Sequence, residues 1–284
     1  MKKLSLILSL LLSVLFVFAL SSCNNSPDAQ AVKYQNAVRA NPTPENVYNL
    51  VSASREKAKD VKGYSFSADA DISFSMGGIK TSVTMSVEEK ISESGLYAKI
   101  NLAELGKAEI TYVDGVLYMR GEADGETVKQ KSTVSMEDVK KQFSEVLPDG
   151  FFANGDTDSL LFTKEALEKA DVDINDNDIT ITVTPDDLKE INDLFGEMLN
   201  SLSGGDMTLT DASISIVIDK KGTITGGKLE LSGGANMSGN NVKMDISVDF
   251  KSDITTAPVI TAPADADKYE ETTLDEEEIP IPSF

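Results

Sequence analysis

Strict alternation over residues 64–76 constrains this chain most. Tyr64, Phe66, Ala68, Ala70, Ile72, Phe74 and Met76 fall on one side, and Ser65, Ser67, Asp69, Asp71, Ser73 and Ser75 on the other. A helix would scatter these residues around its circumference, whereas an extended strand sorts them onto two faces, so the segment is a half-buried antiparallel strand. Gly77-Gly78 makes a hairpin turn, and Ile79, Thr81, Val83, Met85, Val87, Glu89 and Ile91 carry the same pattern back. Strands at 96–102, 107–113, 116–121 and 127–134 follow, with Gly106 and Asp114-Gly115 among the breaks. Together they form a meander of about six strands.

Helical periods flank and interrupt this meander. Thr43 is an N-cap with Pro44 at the first helical position, and Val47, Leu50, Val51, Ser54, Ala58 and Val61 form one stripe. Ser135 and Asp138 make a box-like cap before Val139, Phe143, Val146 and Leu147, and Pro148-Asp149-Gly150 stops that helix. A short helix at 163–170 precedes strands at 172–174 and 179–184. Thr184-Pro185 then caps a longer helix with Leu188, Ile191, Leu194, Phe195, Met198, Leu199 and Leu202 facing inward. Strands return at 207–219, 223–231 and 242–250. The fold class is α+β, with one antiparallel sheet of about 10–11 strands and three to four helices. Residues 43–266 form one domain. Residues 23–42 read as a flexible tether and the acidic 267–284 as a disordered tail.

The N-terminus carries a localisation signal. Lys2 and Lys3 precede an apolar run from Leu4 to Leu20, and Leu20-Ser21-Ser22 lead into Cys23, the one cysteine of the chain. The run also reaches the lower limit for a membrane span, so a retained anchor is the competing reading. Leu20-Ser21-Ser22-Cys23 resembles the lipobox of bacterial lipoproteins. The resemblance implies a signal peptide over 1–22, acylation of Cys23, and a mature protein held on the outer side of a membrane through its lipid. Cleavage would shorten the chain from 284 to 262 residues and, by removing two lysines, move the net charge from -21 to -23. That charge disfavours nucleic acid as a partner.

Composition excludes much chemistry. Without histidine, and with the lone thiol taken by lipid, histidine-based triads and ordinary zinc sites are unavailable. Carboxylate-based glycosidase chemistry lacks tryptophan platforms, since the chain has none. Ser54-Arg55-Glu56-Lys57 matches a Ser-x-x-Lys pattern, but no Ser-Asp-Asn or Lys-Thr-Gly accompanies it and Ser54 lies on an apolar stripe, so packing is its role. The 222–228 segment imitates a phosphate loop but has Leu229 in place of the hydroxyl residue and reads as strand-turn-strand. Asp171 to Asp178 is oxygen-rich like a calcium loop. However, Asp176 replaces the turn glycine and Thr182 the bidentate glutamate, and the apolar flanks make it a hairpin with a polar tip. No cofactor, metal or enzymatic activity is expected.

The leading helix, the long meander, the helices inserted mid-chain and before the last strands, and the closing 260–267 segment resemble the LolA/LolB-like lipoprotein fold shared with the mycobacterial LppX and LprG lipoproteins. LolA is a soluble carrier without a lipobox, so Cys23 places the chain nearer the anchored members. The resemblance implies a strongly curved half-barrel, helices across its concave side, and an apolar cavity for lipid or lipid-linked ligands. The apolar sheet face supplies the candidate ligand residues Phe66, Ile72, Phe74, Val83, Met85, Val87, Met119, Ile214, Ile216, Met244, Ile246 and Val248. The alternative is an envelope interaction or regulatory lipoprotein whose helices plug the sheet and whose partner is another protein.

Overall fold

A computed structural model describes residues 27–59, 63–103, 105–123, 125–139, 162–185, 188–189, 192, 208–237, 240–254 and 256–272. The leader, Cys23, the helix continuation over 140–147, most of the helix expected over 188–202, and the tail beyond 272 lie outside these residues.

The alternating segments become strands with nearly the expected bounds. They are β1 (Gly63–Met76), β2 (Ile79–Ser92), β3 (Gly95–Leu102), β4 (Gly106–Val113), β5 (Val116–Ala123), β6 (Glu126–Thr133), β7 (Asp171–Ile174), β8 (Asp178–Val183), β9 (Thr208–Asp219), β10 (Ile224–Met237), β11 (Asn240–Asp253) and β12 (Glu270–Glu271). All lie in one open sheet of order β12-β6-β5-β4-β3-β2-β1-β11-β10-β9-β8-β7. The chain therefore starts at the centre, meanders to one side through β6, resumes at the opposite edge with β7, and returns to the centre, where β11 pairs with β1. Asp114 and Gly115 at the β4–β5 turn have φ of 53° and 80°, and Gly77 and Gly78 have 59° and 85°, values that primed hairpin turns require.

Register sets one apolar face and one polar face across the whole sheet. Ile100, Val87, Ala68, Phe250, Gly227, Ile216, Ile181 and Val172 form one continuous cross-strand row, and Met85, Ala70, Val248, Leu229, Ile214 and Val183 form the next. The helices pack on this inner face. They are α1 (Pro27–Ala40), α2 (Pro44–Lys59) and α3 (Lys164–Leu167). Residues 136–139 begin another. Thr43 caps α2 as expected, with Oγ1 accepting from the Asn46 amide at 3.3 Å. Thr163 caps α3 through the Ala166 amide at 3.0 Å. Lys189 and Asn192 are helical, and Asn192 Oδ1 accepts the Leu209 amide at 2.8 Å, tying that helix to β9.

Three expectations need correction. Residues 27–40, expected as part of a flexible tether, form α1. Ala31 and Val38 are fully buried and Gln35 nearly so, an i, i+4, i+7 stripe too sparse in large apolar residues to stand out against its polar surroundings. Strand β10 runs to Met237 instead of stopping near Leu231. Gly233 and Gly234, outside the expected strand, lie in the ladder beside a bulge after Ser232, and a Cβ on Gly233 would come within 2.8 Å of the Thr208 carbonyl. Finally, residues 267–272 of the tail are ordered. After a 3-10 turn over Ala266–Lys268, β12 pairs in parallel with β6.

The segment leading to that turn crosses the outer face. A Cβ on Gly63 would meet Pro258 Cδ, and one on Gly95 would meet Ile260, each at 3.2 Å. Farther on, Asp265 pairs with Lys129, and the Tyr269 ring sits edge-on to Tyr118 at 5.4 Å. Residues 256–272 thus form a strap across the outer side of the β1–β6 half.

Candidate functional site: the inner face of the sheet

The candidate ligand residues converge. Phe66, Ile72, Met85, Val87, Ile214, Ile216, Met244, Ile246 and Val248 belong to one buried cluster with Val38, Val47, Leu50, Val51 and Leu167 of the helices, and Phe74 packs at its margin. Val83 lies opposite Ile72 on the same face and is half-buried. Met119 stands apart in a second cluster with Tyr112, Leu117 and Val139.

Among the described residues, α1 and α2 lie over one side, and residues 136–139 bring Val139 onto the second cluster. The α2 helix packs against α1, α3 and β10. Ala31 of α1 fits over Gly222, whose φ of +68° and lack of a side chain permit the approach; a Cβ there would lie 2.5 Å from that of Ala31. Arg39 donates to the Asn175 carbonyl at 2.6 Å, and Lys57 to the Lys221 carbonyl at 3.0 Å while pairing with Asp28 at 2.9 Å. These contacts fix α1 and α2 over the β7–β10 side. At the β1–β2 hairpin end the apolar column continues outward: Phe74 is half-buried, Met76 is 50 % exposed and Ile79 is 74 % exposed.

A buried charged residue interrupts the inner face. Glu89 stands between Phe66 of β1 and Ala98 of β3 in register. Its side chain is buried, the Tyr64 hydroxyl bonds to its carboxyl, and Oε2 has no partner among the described residues. Burial pushes its pKa up to about 8, with the Tyr64 bond opposing, and burial followed by the Glu89 charge raises that of Tyr64. Reading the strand by alternation put Glu89 on this face; nothing in the pattern revealed its missing partner.

The other motifs resolve into packing. Ser54 is buried on α2, and Lys57 turns away to Lys221 and Asp28. The phosphate-loop lookalike is the β9–β10 turn and the start of β10. The oxygen-rich 171–178 segment is the β7–β8 hairpin. Asn175 Oδ1 accepts the Asn177 and Asp178 amides at 2.9 and 2.8 Å, and the Asn175 carbonyl is engaged by Arg39.

No family model matches the chain, and no curated protein does. Among solved structures, the chain is similar to a DUF1329 family protein from Desulfovibrio piger ATCC 29098, with 11% identity over 76% of this chain and 95% of that one and a TM-score of 0.23. It is also similar to a Vibrio parahaemolyticus structure described as a "putative outer membrane lipoprotein-sorting protein domain", with 10% identity, coverage of 76% and 95%, and a TM-score of 0.23. The ywiB protein from Bacillus subtilis shares 7% identity over 66% of this chain and 92% of that one, with a TM-score of 0.15. At such scores, function has to be read from this chain's own residues.

Proposed function

We propose that this protein is a non-enzymatic lipoprotein of the cell envelope, anchored through acylated Cys23, that shelters a lipid or another apolar ligand against the inner face of a half-barrel sheet. The observation carrying this reading is the extent of the apolar face: among the described residues α1 and α2 are held over β7–β10, while the same face runs on to half-buried Phe74 and exposed Met76 and Ile79. Burying such surface against hydrocarbon is favourable by about 25 cal/mol per Å2. Transfer of lipids or lipoproteins is a use such a site would serve. A second reading, docking to an envelope protein, draws on the exposure of Met76 and Ile79 together at one tip.

Residues 24–284, produced without the leader and examined by native mass spectrometry, separate the two. Copurified lipid and uptake of a fluorescent fatty acid are expected; a protein that stays empty supports the docking reading instead. For the anchor, Cys23→Ser should abolish labelling by an alkyne fatty acid and leave the leader uncut, so that the variant keeps the mass of all 284 residues while the wild type loses residues 1–22. A wild type that keeps its leader and takes no label would point to an uncleaved apolar anchor.

A further inference from the structure

Between the two apolar clusters of the inner face runs a seam of small residues. On β3, Leu96 packs with the second cluster and Ile100 with the first, and Ala98 between them belongs to neither. Across the ladder Ala98 pairs with Ile110 of the second cluster, and the small residues continue diagonally to Ala108 on β4 and Gly121 on β5, which face each other in register. Glu89 pairs directly with Ala98 and closes the seam on the β2 side. Ala98 remains half-buried even though it lies on the inner face. A buried carboxyl oxygen without a partner is destabilising, and here it lies at the edge of this row of small residues.

We propose that this seam, with Glu89 at its edge, binds the neutral hydroxyl-bearing head group of an acylglycerol-like lipid whose hydrocarbon lies along the inner face. The proposal rests on the apolar-ligand reading and names its ligand class. Tyr64 already occupies one side of the carboxyl, so Oε2 is the atom left to meet the ligand hydroxyl, which can both donate and accept. Because burial keeps Glu89 protonated near neutral pH, a neutral polar group matches it better than a cation.

The test uses the full chain in a bacterial envelope and two photo-crosslinking, clickable probes: a monooleoylglycerol analogue and an alkane of matched length. The wild type should label with the glycerol probe about five- to tenfold more strongly than with the alkane, as one buried hydrogen bond implies. Glu89→Gln should retain most of that preference and Glu89→Leu lose it. Ala98→Leu, which fills the seam and leaves the carboxyl in place, should also lose it, and keeps the test decisive if Glu89→Leu does not accumulate. Equal labelling of the wild type by both probes, or an unchanged preference in folded Glu89→Leu or Ala98→Leu, would overturn the head-group site while leaving the apolar-ligand reading intact. Labelling by neither probe would remove both.

Discussion

Glu89 is where local chemistry and the global fold disagree. A protonated carboxyl inside an apolar face gives a defined linkage: its folded pKa of about 8 lies above the unfolded value near 4.5, so between these values the folded state holds more protons than the unfolded state. Stability from this group is therefore greatest below about pH 4.5 and falls as pH rises towards 8, by an amount of order 5 kcal/mol. Denaturant titrations across that window should show the decline in the wild type and a flatter profile in Glu89→Gln; parallel profiles would mean that Glu89 ionises freely. Gly227 is a second residue with a specific demand. A Cβ there would collide with the Ser215 carbonyl and come within 2.6 Å of Phe250 Cζ, whose ring stacks on Phe66 at 6.0 Å. Gly227→Ala should cost about 1–3 kcal/mol by overpacking, read from the urea midpoint. Neither demand was visible in the sequence, since a missing hydrogen bond and a ring lying over a glycine both depend on which strands become neighbours.

At the scale of elements, period-two alternation was legible wherever both faces were clearly marked, as in β1, β2 and β11. It failed where glycine replaced the marker, as at Gly233 and Gly234, and the helical period was too faint where it rested on Ala31, Gln35 and Val38 with no large apolar residue among them. The α1 helix was missed for that reason, yet its fit over Gly222 and the Arg39 bonds to the β7–β8 turn make it part of the domain. Val38→Asp should therefore lower stability by several kcal/mol, because it places an unpaired charge in the buried cluster. A flexible tether would tolerate the change with no shift in the thermal midpoint. The C-terminal strap gives a milder prediction. Tyr269→Ala removes the ring from Tyr118 and weakens the hold on β12, so amide exchange should rise over β6 and 266–272 while the β7–β11 half stays protected.

For the molecule as a whole, the order of the sheet explains how one face came to be shared. The two halves leave the centre in opposite directions and meet at the β1–β11 ladder, so their alternating residues combine into rows that no single hairpin could make. The apolar face itself was legible strand by strand; the division of its core into two clusters was not. The chain contains no tryptophan, so a single one placed on that face becomes a site-specific reporter. The most direct measurement is the fluorescence of Phe74→Trp, on the inner face, titrated with a brominated fatty acid, with Asp71→Trp on the outer face of the same strand as its reference. A ligand held along the inner face predicts saturable quenching at position 74 and little at position 71. Equal quenching at both positions, or none at 74, would contradict it.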